Sequence, residues 1–251
     1  MIESHRLCRE WRTRFDTDTP NDVILLSALA GHCPATAFLD CADDPEGIFI
    51  RTYGGKAFAS LAASEDFLHQ AVDRASAQGW TALADTGLPE SVRGRGRVVE
   101  RLRFDRCDLD AEALRELRGS LPSDLKARPL DRELLKRCHH AKRELPDEYG
   151  GALHGYFDLF GYGICLLSGN DVMCEAYVGH VADDRMEAIV GTVEAFRGRG
   201  LASIAAAFLA DEARTRGHAF TWNCVADNVG SVKVARRLAF GRERPYREIY
   251  L

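Results

Sequence analysis

The chain of 251 residues is long enough for two domains of ordinary size or one large one. Because 46% of its residues are hydrophobic and 28% are charged, it can bury a substantial core and is not a disordered chain. Its formal net charge of -5, with no dominant basic stripe, argues against nucleic acid as a partner.

The sequence carries no signal for secretion or for a membrane span. Residues 1–15 are charged throughout and lack the apolar core of a signal peptide. No apolar run approaches the roughly 18 residues that a membrane helix needs. The eight cysteines include no Cys-x-x-Cys pair, which favours free thiols over disulfides. We therefore expect a cytoplasmic protein with no membrane partner.

The first half of the chain alternates helical and strand-like segments, which predicts an N-terminal α/β domain over residues 1–125. Strand patterns cover Ile48–Tyr53 and Val98–Phe104, and Phe67 and Ala71 show helical spacing. The alternation of short strands with a helix predicts a sheet with helices packed on it.

The best linker candidate is the turn-rich segment Gly119–Ser123, so we place the domain boundary near residue 125. The second domain then covers residues 126–251. Within it we expect a helix over 132–143, followed by a polar loop over 146–151 that could reach over a substrate.

Two short motifs are assigned no function. Cys138-His139-His140 suggests a metal site, but ligands adjacent in a helix point in different directions, so we interpret it as a charged helix face and expect no metal. Arg93-Gly94-Arg95-Gly96 repeats the letters of a later motif, yet a β-branched run follows where a helix would have to begin. We interpret it as an exposed loop, and a degenerate second copy of the later fold stays open as the alternative.

The most informative stretch of the chain is a strand, a glycine-containing turn and a helix. Met186–Val190 is largely apolar and rich in strand formers, and apolar residues recur with helical spacing from Leu201 to Leu209. Between them, Gly198 and Gly200 leave backbone N–H groups free to point into the turn. With the positive end of the helix dipole, these groups form an anion site suited to a phosphate or pyrophosphate.

The order Arg197-x-x-Gly200-x-Ala202 in this turn is similar to the pyrophosphate-binding motif of the Gcn5-related N-acetyltransferases (GNAT), whose co-substrate is acetyl-CoA. A second segment adds to the resemblance, because Trp222–Ala226 is strand-like and Asn228 can cap the helix that follows. The whole set ends in Tyr246 and Tyr250 and resembles the branch of the zwittermicin-resistance acetyltransferases. The resemblance spans about the last 125 residues.

This resemblance implies a fold and an activity. The expected fold is α/β, with a mixed, mostly antiparallel sheet whose central strands splay apart to admit the cofactor, and with helices on both faces. The expected activity is acyl-CoA-dependent N-acetyl transfer to the amine of a small molecule, such as an antibiotic or another specialised metabolite. Acetyl-CoA is the implied co-substrate, and an exposed terminal strand could pair across a homodimer.

The resemblance also implies which residues bind acetyl-CoA. The end of the strand would pair with the pantetheine arm, the loop N–H groups would hold the pyrophosphate, and two polar residues of the second helix would contact the cofactor. In chain order the expected residues are Val190, Gly191, Thr192, Val193, Arg197, Gly198, Arg199, Gly200, Leu201, Ala202, Asn228 and Ser231. For Asn228, a helix cap alone is an equally good interpretation.

An amine at neutral pH is mostly ammonium and must lose a proton before it attacks a thioester, so such an enzyme needs a general base. We expect Glu187 to be this base, because it lies on the proposed central strand near where related enzymes place a glutamate. Glu175, on the neighbouring strand, and Glu194, beside the loop, are the alternatives.

The general acid stays open. Many relatives carry a Tyr in the second helix where this chain has Ala235, so Tyr246, Cys224 or solvent would have to protonate the leaving thiolate. The chain also departs from the family pattern at Thr192, where Val is usual, and at Ala239, where Gly is usual.

Two other functional classes remain as alternatives. The first is a catalytically silent module that binds or senses acyl-CoA, which the missing Tyr at position 235 favours. The second is an acyltransferase that takes acyl groups from a carrier protein or acts on protein amines. A basic docking face would support this last interpretation, and the sequence shows none.

Overall fold

The computed structural model describes residues 1–85, 87–140 and 161–251. Two compact units make up the chain. Unit 1 comprises residues 1–102, 225–227 and 245–251, and unit 2 comprises residues 103–224 and 228–244. Strands pair into a mixed, mostly antiparallel sheet with helices, which confirms the predicted α/β class. None of the helices in the described ranges is long and apolar enough to cross a membrane.

Unit 1 is built on strands in the order β1-β2-β3-β4-β5-β12. Its elements are β1 (Ile2–Ser4), a 3-10 helix (Arg9–Arg14), α1 (Asp22–Leu29), β2 (Ala35–Leu39), β3 (Ile48–Thr52), β4 (Lys56–Ala59), α2 (Glu65–Ala77), β5 (Ala82–Ala84), α3 (Glu90–Arg93), the first part of β6 (Arg97–Cys107) and the last part of β12 (Phe240–Tyr250). Neighbouring strands are antiparallel, except that β4 and β5 are parallel and joined by α2. The core packs Phe67 and Ala71 of α2 against Phe38 and Phe49 of the sheet.

Unit 2 is built on strands in the order β11-β10-β9-β8-β7. Its elements are the rest of β6, α4 (Ala111–Gly119), β7 (Lys126–Pro129), α5 (Arg132–Leu135), β8 (Gly163–Ser168), β9 (Asp171–Ala182), β10 (Arg185–Thr192), a 3-10 helix (Glu194–Phe196), α6 (Leu201–Thr215), β11 (Ala219–Val225), α7 (Val229–Arg237) and the first part of β12. Here too the strands are antiparallel, except that β10 and β11 are parallel and joined by α6.

In the described residues the two units repeat one topology. The α-helices and strands of the series β1-α1-β2-β3-β4-α2-β5-α3-β6 match those of β7-α5-β8-β9-β10-α6-β11-α7-β12 in order, whereas the 3-10 helices differ in place and α4 lies between the two series. The change from one series to the next falls between residues 107 and 126. The predicted domain boundary near residue 125 lies in this interval and remains a prediction, because compactness and topology do not by themselves define domains.

The repeat also places the motif Arg93–Gly96. It begins at the last residue of α3 and leads into the long last strand of the series, and Gly94 and Arg95 are exposed. The counterpart of the turn at Arg197–Gly200 would instead lie between β4 and α2. Arg93–Gly96 is therefore an exposed turn and not a second copy of the later motif.

The segment around residue 138 differs from the expectation. The helix predicted over 132–143 is interrupted, because α5 ends at Leu135 and helical structure returns only at His139 and His140; residues 141–143 lie outside the described residues. Cys138 is then fully buried beside Cys165, with 3.7 Å between the two sulfur atoms. The prediction of a charged helix face was wrong for Cys138, because the chain turns there to bury the thiol in the apolar core. The polar loop predicted over 146–151 lies outside the described residues.

A buried ionic network in unit 1 connects β12 to the rest of the unit. Glu248 of β12 is fully buried and accepts hydrogen bonds from Lys56 Nζ at 2.6 Å and Asn21 Nδ2 at 2.7 Å. Arg101 Nε lies 3.3 Å from the second carboxylate oxygen and donates to the Tyr246 hydroxyl at 2.8 Å. Glu248 thus pairs with two largely buried cations, which makes its charge costly to lose.

We expect Glu248→Gln to lower the free energy of unfolding by about 3–5 kcal/mol, because the two cations keep their burial and lose their counter-charge. Urea unfolding of the full chain, followed by circular dichroism, measures this loss. The control Glu90→Gln removes a carboxylate that pairs with Arg93 at the surface, where its side chain is 85% exposed. This control should cost at most about 1 kcal/mol, and equal losses in both variants would contradict the assignment.

Candidate functional site

The site begins where two parallel strands separate. β10 and β11 pair over three residue positions, and the last pair joins Glu187 to Thr221. β10 continues to Thr192 and β11 to Val225, so within the described chain the two strands part beyond Glu187. The pairing of β9 with β10 shifts register between Glu187 and Ala188, and such bulges bend a strand and re-aim its side chains. This fork matches the splay of the central strands that the family resemblance implied.

The turn after β10 leaves a helix end open. Gly198 and Gly200 have left-handed backbones with φ of 79° and 77°, and Gly200 is the N-cap of α6 without any side-chain cap. In unit 1 the matching helix α2 is capped by Ser64, whose hydroxyl accepts from the Phe67 N–H at 3.3 Å. The start of α6 therefore offers unpaired N–H groups and the positive end of a dipole to an anion.

A cavity of about 770 Å³ in unit 2 joins the fork to this helix end. Its volume lies within the range of roughly 300–1,000 Å³ that is typical of ligand sites. Ten of the twelve residues that the resemblance implied line it together. They are Val190, Gly191, Thr192, Arg197, Gly198, Gly200, Leu201, Ala202, Asn228 and Ser231.

The cavity is electropositive. Arg197, Lys233 and Arg237 line it, and no carboxylate does so among the residues that the structure describes. Lys233 and Arg237 lie four residues apart on α7 and so share one face of that helix. A Cβ atom at Gly200 would lie 3.0 Å from Arg237 Nη1, which places the guanidinium directly over the open end of α6. The arrangement suits a ligand with several negative charges.

The other two residues implied for the cofactor, Val193 and Arg199, do not line the cavity. The Val193 N–H donates to the carbonyl of Met173 at 2.9 Å. Arg199 Nη2 donates to both carboxylate oxygens of Asp124 at 2.9 Å, and this hydrogen bond lowers the pKa of Asp124 below its ordinary value. Arg199 thus ties the turn to the segment before β7.

Asn228 and Ser231 both line the cavity and both take part in the cap of α7. Asn228 Oδ1 accepts from the Ser231 N–H at 3.1 Å, so Asn228 caps α7 while it also lines the cavity. Ser231 Oγ accepts from Trp222 Nε1 at 3.0 Å, and Trp222 lines the cavity from β11. The cap and the hydroxyl together hold the start of α7 against the strand that forms the other side of the fork.

Glu187 is half-buried at the fork and lies opposite His180 of β9. Burial lowers the pKa of His180 to about 4, so its imidazole is neutral at pH 7 and brings no positive charge to the pair. Of the two alternative bases, Glu175 is buried in β9 and Glu194 is exposed in the 3-10 helix after β10. None of the three glutamates is among the lining residues of the cavity.

The candidates for the general acid also lie outside the lining. Tyr246 belongs to unit 1, where its hydroxyl accepts from Arg101. Cys224 is 5% exposed in β11, and Ala235 is fully buried in α7. Position 235 therefore offers neither a hydroxyl nor an open face to the cavity.

The sequence expectations missed eight residues of the lining, and four of these bring a nitrogen-bearing side chain to the cavity, namely His140, Trp222, Lys233 and Arg237. A signal for the last two was present, because Gly230, Lys233 and Arg237 recur at helical spacing on one face of α7. For His140 no such signal exists, since its place depends on the turn that buries Cys138.

The family comparison finds a match of residues 15–249 to a model described as GNAT acetyltransferase. Among solved structures, a GCN5-related N-acetyltransferase-like protein from Streptococcus suis has a TM-score of 0.69 at 22% identity, covering 97% of this chain and 98% of that one. A GNAT-family acetyltransferase from Colwellia psychrerythraea has a TM-score of 0.59 at 11% identity, with coverages of 96% and 93%. A tandem GNAT protein from the clavulanic acid biosynthesis pathway has a TM-score of 0.58 at 11% identity, with coverages of 97% and 90%. No curated protein matches the chain.

These matches cover more of the chain than the sequence motifs do. At identities this low, the solved structures support the fold alone. The family match covers residues 15–249 and therefore includes most of unit 1, whereas the motifs that carried the resemblance lie in the second half of the chain.

Acid should destabilise the protein through His180. Its folded pKa of about 4 lies below the roughly 6.5 of an unfolded histidine, so the unfolded chain binds the proton first and stability is lost as the pH falls from 6.5 towards 4. We expect the wild type to lose about 2 kcal/mol more than His180→Gln between pH 7 and pH 5. Urea midpoints at the two pH values measure the difference.

The control for this prediction is His139→Gln, because His139 is exposed and should leave the pH dependence of the wild type unchanged. A wild-type pH dependence in His180→Gln would show that His180 is not the titrating group.

Proposed function

Because the chain belongs to the GNAT acetyltransferase family, we propose that it transfers the acetyl group of acetyl-CoA to the amine of a small molecule. Members of this family normally use acetyl-CoA as co-substrate. The observation that carries the proposal is the electropositive cavity of unit 2, which connects the fork between β10 and β11 to the open end of α6.

The residues of the cavity fit a CoA thioester. The open N–H groups at Gly200 and Leu201 suit the diphosphate, with Arg237 over the same helix end and Lys233 one turn away on α7. Beyond Glu187, the edge of β10 that faces away from β9 has no strand partner among the described residues. Its backbone groups can therefore pair with the amides of a pantetheine arm as a strand would.

Glu187 is the general base in this proposal. It lies at the last paired position before the strands separate, where the reacting end of a ligand held along β10 would point. When bound, acetyl-CoA supplies a thioester whose carbonyl carbon can accept an amine. Glu187 takes the proton that the amine must lose before or during its attack, and the positive lining of the cavity holds the anionic part of the donor in one orientation.

We propose further that the substrate is an amine of a specialised metabolite, as in the branch of zwittermicin-resistance acetyltransferases that the motifs resemble. The likeness to a tandem GNAT protein of the clavulanic acid pathway supports this choice by analogy only. In the same proposal, unit 1 is a degenerate copy of the fold. Ser64 caps its helix α2 and no glycine stands between β4 and α2, so the anion site is missing there.

A second candidate is a silent acyl-CoA sensor. It is favoured by Ala235, which is fully buried where many relatives carry a Tyr.

Calorimetric titration with acetyl-CoA, followed by mass spectrometry of a panel of amines, separates the two candidates. Binding with a gain of one acetyl group on an amine supports the enzyme. Binding without transfer to any amine supports the sensor, and no binding at all overturns both.

We expect Gly200→Val to weaken acetyl-CoA binding at least about 100-fold, because its side chain enters the space between the helix end and Arg237. The matched control is Gly217→Val at the other end of α6. Gly217 has the same left-handed backbone, with φ of 76°, and nothing within 4 Å of its Cβ position. Both variants carry similar backbone strain, so calorimetry should show the loss of binding only for Gly200→Val. If Gly200→Val bound acetyl-CoA as tightly as Gly217→Val does, the turn would not be part of the binding site.

Glu187→Gln should lower kcat by about 10²–10⁴-fold with little change in the affinity for acetyl-CoA, because it removes the base and keeps the shape. The control is Glu194→Gln, which changes the exposed alternative and should leave kcat unchanged. An unchanged rate and pH profile in Glu187→Gln would exclude Glu187 as the base.

A further inference from the structure

One titratable residue at the strand end of the cavity has no part in the proposed function. His140 lines the cavity, and a Cβ atom at Gly191 would collide with its imidazole ring. The ring therefore packs directly on the backbone of β10, on the stretch that has parted from β11. Arg237 of α7 covers the start of α6, where a Cβ atom at Gly200 would lie 3.0 Å from its Nη1 atom. A ligand that places its phosphates at α6 and runs along β10 towards Glu187 would pass the ring of His140 with its uncharged arm.

A buried carboxylate fixes this position. Glu175 lies opposite Gly191 in the pairing of β9 with β10, so their side-chain positions share one face of the sheet. Glu175 is 1% exposed, and its Oε1 atom accepts a hydrogen bond from the main-chain N–H of His140. Its Oε2 atom has no hydrogen-bond partner in the described part of the chain. Two residues before His140, Cys138 is fully buried against Cys165, so the segment is held at both points.

We infer that His140 is the general acid of the acetyl transfer and that Glu175 is its positioning residue. The inference rests on the proposed function and supplies the proton donor that Ala235 cannot. Histidine is the side chain that exchanges protons most readily near neutral pH. Glu175 acts through the backbone of His140 and touches no substrate.

The acetyl transfer forms one bond, breaks one bond and moves two protons. The amine nitrogen forms a bond to the acetyl carbon, and Glu187 takes the proton that the nitrogen loses. The bond between the acetyl carbon and sulfur breaks, its electron pair stays on sulfur, and His140 as imidazolium donates a proton to that sulfur. Glu187 then returns its proton to solvent and His140 regains one, so the products are the amide and the free thiol of CoA.

The first test is spectroscopic and needs no amine. The full chain with ¹³C-labelled histidine gives one ring signal for each of its eight histidines, and His140→Gln identifies the signal of His140. We expect saturating CoA to move this signal and desulfo-CoA, which lacks only the sulfur, to move it much less. Equal shifts with both ligands, or no shift with either, would overturn the inference, because His140 would then not face the sulfur.

The second test is kinetic. His140→Gln should lower kcat by about 10²-fold or more and leave the affinity for acetyl-CoA within about threefold. The matched control is His139→Gln, which alters the exposed neighbour and should change neither. If His140→Gln kept the wild-type kcat, His140 would not be the acid.

Glu175 is tested by a pair of variants. Glu175→Gln keeps an oxygen that can accept the N–H of His140 and should retain the CoA-dependent signal and most of kcat. Glu175→Leu removes the acceptor and should lose both, while calorimetry still shows binding of acetyl-CoA. A native His140 signal in Glu175→Leu would contradict the positioning role.

Failure of the inference differs from failure of the proposed function. If the wild type binds acetyl-CoA and acetylates an amine while His140→Gln does the same at full rate, only the inference fails. If the wild type does not bind acetyl-CoA, the proposed function fails and the inference fails with it.

Discussion

The separation of β10 and β11 is the constraint on which the site depends. A parallel pair normally continues its hydrogen bonds along both strands, and an edge left open in the interior of a sheet must find other partners. Here the pairing stops at Glu187, while β10 keeps its pairing with β9 as far as Thr192. One edge of β10 is thereby left for a ligand. The turn, the open end of α6 and the cap of α7 are all arranged around that edge.

The repeated topology shows how little separates a cofactor site from a plain structural element. Both units contain a strand, a connecting helix and a parallel strand, but the two helices begin differently. Ser64 satisfies the first turn of α2 with its own hydroxyl, whereas Gly200 leaves the first turn of α6 open. A side-chain cap stabilises a helix by about 1 kcal/mol. Unit 2 forgoes that gain at α6, which is understandable if a bound anion supplies the missing partners.

Much of unit 2 could be predicted because its signals are local. The periodicity of α6, the glycines of the turn and the cap at Asn228 are all read within a dozen residues, and ten of the implied residues indeed meet in one cavity. Arg199 shows the limit of prediction from local signals, because its partner Asp124 lies 75 residues away and no local pattern predicts the pair. His140 was missed for the same reason. Its position depends on the burial of Cys138 and on a carboxylate of a distant strand, and no local pattern predicts either contact.

The last part of β12 has a consequence for the order in which the protein can fold. It pairs with β5 through Ile249 and Leu83, and it delivers Glu248 to Lys56 and Arg101. Translation proceeds from the N-terminus, so these residues leave the ribosome only after all of unit 2 has been synthesised. Until then β5 lacks this partner strand, and Lys56 and Arg101 lack the carboxylate of Glu248. Unit 1, although made first, therefore cannot complete its sheet and its ionic network before the end of the chain has been made.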